Sequence, residues 1–145
     1  MALHILKMCV GIGSVDELKE GQAWRLAEAR AAGQMPLLRH LTRHMPRRAA
    51  AIAGSGSLYW IIKGFVRVRQ RIVAVQRIDE ETTTKRCAFV LDSELVRTAA
   101  QRRRPHQGWR YLDEKDAPVD LPAGMAELGD MPPELAAELK ELGLL

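Results

Sequence analysis

The stretch FVRVRQRIVAV, residues 65–75, sets Arg67, Arg69 and Arg71 at every second position. Two residues is the side-chain period of a β-strand, so these three guanidinium groups, with that of Arg77, are expected along one face of a sheet. Val66, Val68, Ile72 and Ala74 are expected on the other face, with Val73 and Val75 interrupting the alternation. An antiparallel sheet commonly buries one face and wets the other. The arginines therefore face water, an acidic part of the same chain, or a phosphate backbone.

Outward from this strand the chain reads as strands between two helices. SLYWII, residues 57–62, is rich in β-formers, and Gly64 beside the arginine run suggests a bulge or sharp bend. DEETTTKR is a polar turn before RCAFVLD, which predicts an antiparallel hairpin. SELVRT is a short strand or helical turn, and QRRRPHQGWRYL is a basic loop entering a short aromatic strand. On the N-terminal side, LHILKMCVGI (3–12) reads as a buried strand. Ser14 with Glu17 three residues later fits a capping box for a helix reaching about Ala32, stopped by Gly33. In MPLLRHLTRHMP the alternation of His40, Thr42 and His44 with Leu41, Arg43 and Met45 favours a strand, and RRAAAIAGSG reads as one or two helical turns. Residues 113–130 are linker-like, leading to an amphipathic helix over 132–142. The expectation is one domain over 1–145, of α+β class: a bent, mostly antiparallel sheet or small partly open barrel flanked by N-terminal and C-terminal helices.

The net charge of +4 conceals a strong asymmetry. Residues 1–38 balance, residues 39–110 carry +11, and residues 111–145 carry −7. Sixteen arginines against six lysines suit planar recognition of phosphate or carboxylate. Further basic clusters stand at Arg39, Arg43, Arg47 and Arg48, and at Arg102, Arg103 and Arg104. Tyr59 and Trp60 precede the arginine strand, and Trp109 and Tyr111 follow the triple arginine. Arginine contacts to phosphate combined with aromatic stacking are what single-stranded nucleic-acid binding needs.

HQGWRY, residues 106–111, is the segment best equipped for a specific ligand. Gly108 lets a backbone approach closely, His106 titrates near neutral pH, and Gln107 and Arg110 can bond planar polar groups. His40 and His44 are four apart but have no HExxH glutamate, so no metal is expected. Cys9 and Cys87 form no CxxC and read as free thiols. No P-loop, nucleophile elbow or dinucleotide fingerprint occurs, and GIGSVDE lacks the full GxGxxG. No cofactor is expected. Without a long apolar run or signal-peptide pattern, the expectation is a cytoplasmic protein with no membrane partner.

The segments LHILKMCVGI, RHLTRHMPRRA, GSLYWIIKGFVRVRQRI, VLDSELVRT, RRPHQGWRYL, DAPVDL and MPPELAAELKELGLL resemble a family of bacterial proteins of about this length, known as a domain of unknown function. The resemblance implies a single-domain cytoplasmic protein and carries no activity, cofactor or catalytic residue with it. At the level of fold, a helix entering a glycine and then basic strands is similar to the small bent barrels of the pseudouridine-synthase-and-archaeosine-transglycosylase-like group and their ASC-1-homology relatives. KGFVRVRQ lacks the glutamate of their GxKxxExR signature.

The leading expectation is RNA or another polyanion as partner. Arg67, Arg69, Arg71, Arg102, Arg103 and Arg104 would neutralise phosphates, with Trp109 and Tyr111 stacking bases. One alternative is an enzyme or binding protein for a small anion, using His106, Gln107, Trp109 and Arg110. Another is a protein-interaction module built on the C-terminal helix. Oligomeric state stays open, as does whether the acidic C-terminal segment neutralises the basic face.

Overall fold

The computed structural model describes residues 2–122, in the order β1 (Leu3–Met8), α1 (Val15–Ala31), β2 (Leu38–Thr42), α2 (Ala49–Ile52), β3 (Ser57–Ile62), β4 (Phe65–Arg77), β5 (Cys87–Leu91), β6 (Val96–Arg102) and β7 (Trp109–Asp113). The strands form one mixed sheet in the order β2-β5-β4-β3-β1-β7, with β6 also paired to β4. β1 and β3 run parallel, and the other pairs are antiparallel. The expected 132–142 helix lies outside the described residues.

β4 organises this sheet. It enters from β3 through a two-residue turn in which Lys63 (φ 51°) and Gly64 (φ 85°) are both left-handed, the geometry that matches strand twist. Gly64 thus makes a tight turn, and the bulges fall later. Trp60 pairs with Val68 and Ile61 with Val66, leaving Arg67 as an extra residue. Ile72 pairs with Leu91 and Ala74 with Val90, leaving Val73 extra. An extra residue bends a strand and raises its twist. β5 and β6 consequently lie end to end along β4, opposite β3.

The bulges also correct the expected faces. Val68, Ile72 and Val75 belong to the larger core cluster, with Leu3, Ile5, Leu58, Trp60, Ile62 and Phe89. Val66 instead joins Leu6, Tyr59, Ile61 and Leu112 on the opposite face. The interruption at Val73 and Val75 is the sequence trace of the second bulge.

Covering elements are modest. In α1, Ser14 Oγ accepts from Glu17 N at 3.1 Å, and Glu17 returns to Gly13 N at 3.0 Å, one residue earlier than a strict capping box. Val15, Leu18 and Gln22 form its buried stripe. Gln22 and Gln70 exchange amide hydrogen bonds of 2.8 and 2.7 Å. Trp60 Nε1 also donates to Gln70 Oε1 at 2.9 Å, and Gln70 Nε2 donates to the Asp92 carbonyl at 2.9 Å. Every donor and acceptor site of the buried Gln70 amide is used. Gly56, ahead of β3, passes so close to β1 that a Cβ would sit 2.1 Å from the Leu3 carbonyl oxygen.

The sheet curls but stays open. Trp109 Nε1 on β7 donates to the His44 carbonyl at 2.8 Å, and Arg48 N donates to Tyr111 Oη at 3.1 Å. Side-chain bonds to the chain after β2 therefore join the two ends of the sheet where a closed barrel would have a ladder. After a 3-10 turn at Glu114–Asp116, the chain runs back along β6, with Ala99 N donating to the Val119 carbonyl and Leu121 N to the Arg97 carbonyl.

Candidate functional site

Arg69 and Arg71 of β4 are tied to other segments of the chain. Arg69 forms a two-point bond with Asp120: Nε to Oδ1 at 2.8 Å and Nη2 to Oδ2 at 2.7 Å. Its Nη1 donates to Ser57 Oγ at 3.0 Å. The guanidinium bonds hold the Asp120 carboxyl below its ordinary range, against a smaller opposing effect of burial. Arg71 donates to the Gly54 carbonyl from Nε at 3.3 Å and Nη2 at 3.1 Å. Arg67, on the bulge, is buried. Of the three things these side chains could face, the answer for Arg69 is Asp120, in the acidic C-terminal segment.

Around that pair lies a polar cluster that sequence reading missed. His4 Nδ1 accepts from Ser57 N at 2.9 Å, which places the imidazole hydrogen on Nε2, 2.6 Å from Glu114 Oε2. Burial pushes the Tyr59 hydroxyl up to about 12. His4, Ser57, Tyr59, Arg69, Glu114 and Asp120 line a recess of about 370 Å³. His4, Ser57, Arg69, Glu114 and Asp120 bond one another, and the His4–Ser57, His4–Glu114 and Arg69–Asp120 bonds each span more than fifty residues, so no local motif announced them.

The 102–108 loop has the opposite character. Three grooves adjoin along it. The first, of about 470 Å³, is lined by Lys63, Arg102, Arg103 and Arg104 and reaches Pro105. The second, about 480 Å³, runs from Pro105 past His106 to Lys7, Gln107 and Gly108. The third shares Lys7, Gln107 and Gly108, adds Arg43, His44 and Lys85, and occupies about 470 Å³ in the seam between β2 and β7. Seven lysine or arginine side chains line these grooves, and among the described residues no carboxylate does. Arg103 is held by Gln101 Oε1 at 2.9 Å and the Asp116 carbonyl at 3.2 Å, and the Arg102 guanidinium lies 4.9 Å from the Phe65 ring centroid. Lys7, Arg43, Lys63, Lys85, Arg102 and Arg104 have no ion-pair partner among the described residues.

Crowded cations leave a mark on the buried groups beneath. Burial, reinforced by Lys85, lowers the Lys7 ammonium below the usual lysine range. Burial followed by Lys7, Arg25 and Lys85 drives His40 down to about 4, so this imidazole is neutral at physiological pH. Its ring packs edge-on to Trp60 at 4.9 Å. Cys9, nearby, is raised to about 11, chiefly by burial, and is no thiolate nucleophile at neutral pH.

Of the residues singled out from the sequence, the structure brings Arg102, Arg103, Arg104, His106 and Gln107 to one place. Arg67, Arg69 and Arg71 lie elsewhere. Trp109 and Tyr111 pack edge-to-face at 4.9 Å, and their polar ends hold the chain after β2. Arg110 is exposed on the opposite face of β7, across from Leu6. Lys7, Lys63 and Lys85 were missed, because isolated lysines in separate segments carry no signal until the fold gathers them. Among the described residues no group of three or more His, Cys, Asp or Glu could hold a metal ion, and no helix is long and apolar enough to cross a membrane.

Residues 5–145 match the family described as Protein of unknown function (DUF1489), and the chain belongs to that family. No curated protein and no solved structure matches it. The analogy to the small bent barrels is not confirmed; the sheet here is open.

Proposed function

We propose that this protein binds single-stranded nucleic acid, RNA foremost, along the 102–108 loop and the strand ends beside it. The observation that carries the reading is the row of three adjoining grooves lined, among the described residues, by seven cations and no carboxylate. Uncompensated positive charge along a continuous path attracts a polyanion by releasing its counterions. The reading moves the contact surface away from Arg69, bonded to Asp120 and Ser57, and Arg71, which donates to the Gly54 carbonyl, and assigns no stacking to Trp109 or Tyr111.

The test is anisotropy of labelled single-stranded RNA, with matched DNA, from low to physiological salt. Combined Lys63→Ala, Arg102→Ala and Arg104→Ala substitution should weaken binding and lower the log–log salt slope by about 0.7 per lost contact. Folded variant protein with unchanged affinity and slope sinks the reading.

A second reading rests on the seam groove alone. Lys7, Arg43 and Lys85 converge there, and Lys85 adds to the burial that lowers the Lys7 ammonium. A small phosphorylated or carboxylated molecule would suit it. Saturable binding of such an anion, without binding of RNA, favours that alternative.

A further inference from the structure

The middle groove differs in chemistry from the two that flank it. Its walls are apolar, built from Met8, Val10 and Pro105. Val10 is 84% exposed, an aliphatic side chain held at the groove rather than in the core. His106 lines the same space. Its backbone N–H points at Met8 Sδ, 3.3 Å away, which fixes the loop against β1. Its ring Nε2 is buried without a hydrogen-bond partner among the described residues. A buried ring nitrogen left unbonded is costly and calls for a reason.

A phosphate suits this space less than its neighbours, since Lys7 is the one lysine or arginine among its described lining residues and the walls of Met8, Val10 and Pro105 would strip hydration. The ligand must be flat or apolar on its faces and polar at one edge. It must also sit between two places that suit phosphate. Resting on the nucleic-acid reading above, we propose that the middle groove is a nucleobase subsite. Phosphates of the strand lie in the flanking grooves, by Lys63 and Arg104 on one side and Lys85 and Arg43 on the other. One base turns inward between them, its face against Met8, Val10 and Pro105. Its polar edge meets the Gln107 amide at the groove, and His106 Nε2, enclosed in the ligand-free chain, completes a donor–acceptor pair once the ring turns towards the base. The volume of about 480 Å³ lies within the range of small-molecule sites and accommodates a purine or a pyrimidine.

The experiment compares a short labelled RNA with an abasic phosphodiester strand of the same length and charge, at one salt concentration and across a salt series. The wild-type protein should bind the base-bearing strand roughly tenfold more tightly, the scale of one base contact. His106→Ala and, separately, the exposed Val10→Ser should remove most of that difference while leaving abasic-strand affinity and salt slope in place. Equal wild-type affinity for the two strands overturns the base subsite and leaves the backbone reading standing. Binding of neither strand overturns both. A His106→Ala variant that weakens both strands equally shows an imidazole that only holds the loop, and the proposed recognition falls.

Discussion

Arginines of the same chain meet opposite fates on β4 and on the 102–108 loop. On β4, Arg69 closes on Asp120 and Arg71 on the Gly54 carbonyl. On the loop, Arg102 and Arg104 share grooves with Lys63 and have no carboxylate partner among the described residues. Charge density in the sequence does not separate the two regions. What separates them is the return of the chain: residues 117–121 come back along β6 and deliver the Asp120 carboxylate to Arg69, while the loop receives the Asp116 backbone carbonyl, on Arg103, and no carboxylate among the described residues. Arginine on a sheet face is therefore a tie between segments here, and arginine at the strand ends is the charge left available to a ligand.

Substitutions can break that contrast, beginning with the largest effect. Gly56→Ala drives a Cβ into the Leu3 carbonyl where no side chain can yield, and should cost roughly 4 kcal/mol or more, read as failure to fold or a collapsed urea midpoint. A cooperative, near-wild-type transition would mean that β1 and β3 can separate at little cost. Gln70→Leu strands the Trp60 indole N–H, the Gln22 amide and the Asp92 carbonyl. It should destabilise by about 3 kcal/mol in chemical denaturation.

The next effect is one of pH. His40 is held neutral down to about 4, whereas the unfolded chain takes up that proton near 6.5. Between those values the unfolded state binds more protons, so stability falls as pH drops from 6.5 towards 4, by roughly 2–3 kcal/mol. His40→Gln should flatten that part of the stability–pH curve; an unchanged curve assigns the acid sensitivity to other groups.

Arg69→Ala should cost about 1–2 kcal/mol, less than a fully buried pair because Asp120 is well exposed, and should leave RNA affinity as it was. Loss of affinity with that variant would return the strand face to the binding surface. Asp120 carries the matching acid signature. Its carboxyl is lowered in the folded state, so its contribution is full above the unfolded value near 4 and lost as pH falls through the folded one. The smallest stability effect belongs to the loop triple variant, Lys63→Ala, Arg102→Ala and Arg104→Ala. Melting should shift within about 0.5 kcal/mol while RNA binding weakens, which sharpens the separation of a structural face from a binding end.

The sequence by itself determined the local parts. Ser14 and Glu17 start α1 because a hydroxyl and a carboxylate at that spacing satisfy free N–H groups. The alternation in FVRVRQR makes a strand. HQG falls on a loop, where glycine and polar residues favour turns. Each of these rests on contacts within a few residues, which a linear reading can see. Only the tertiary structure decided which charges are neutralised and which stay open. It set β1 parallel to β3, moved Val66 to the opposite face through the bulge at Arg67, and buried the Gln22–Gln70–Trp60 bonds. It paired Arg69 with an aspartate 51 residues away and gathered Lys7, Arg43 and Lys85 from three separate segments. The electrostatics of a site depend on distance and solvent exposure, and both are set by how distant strands close on one another.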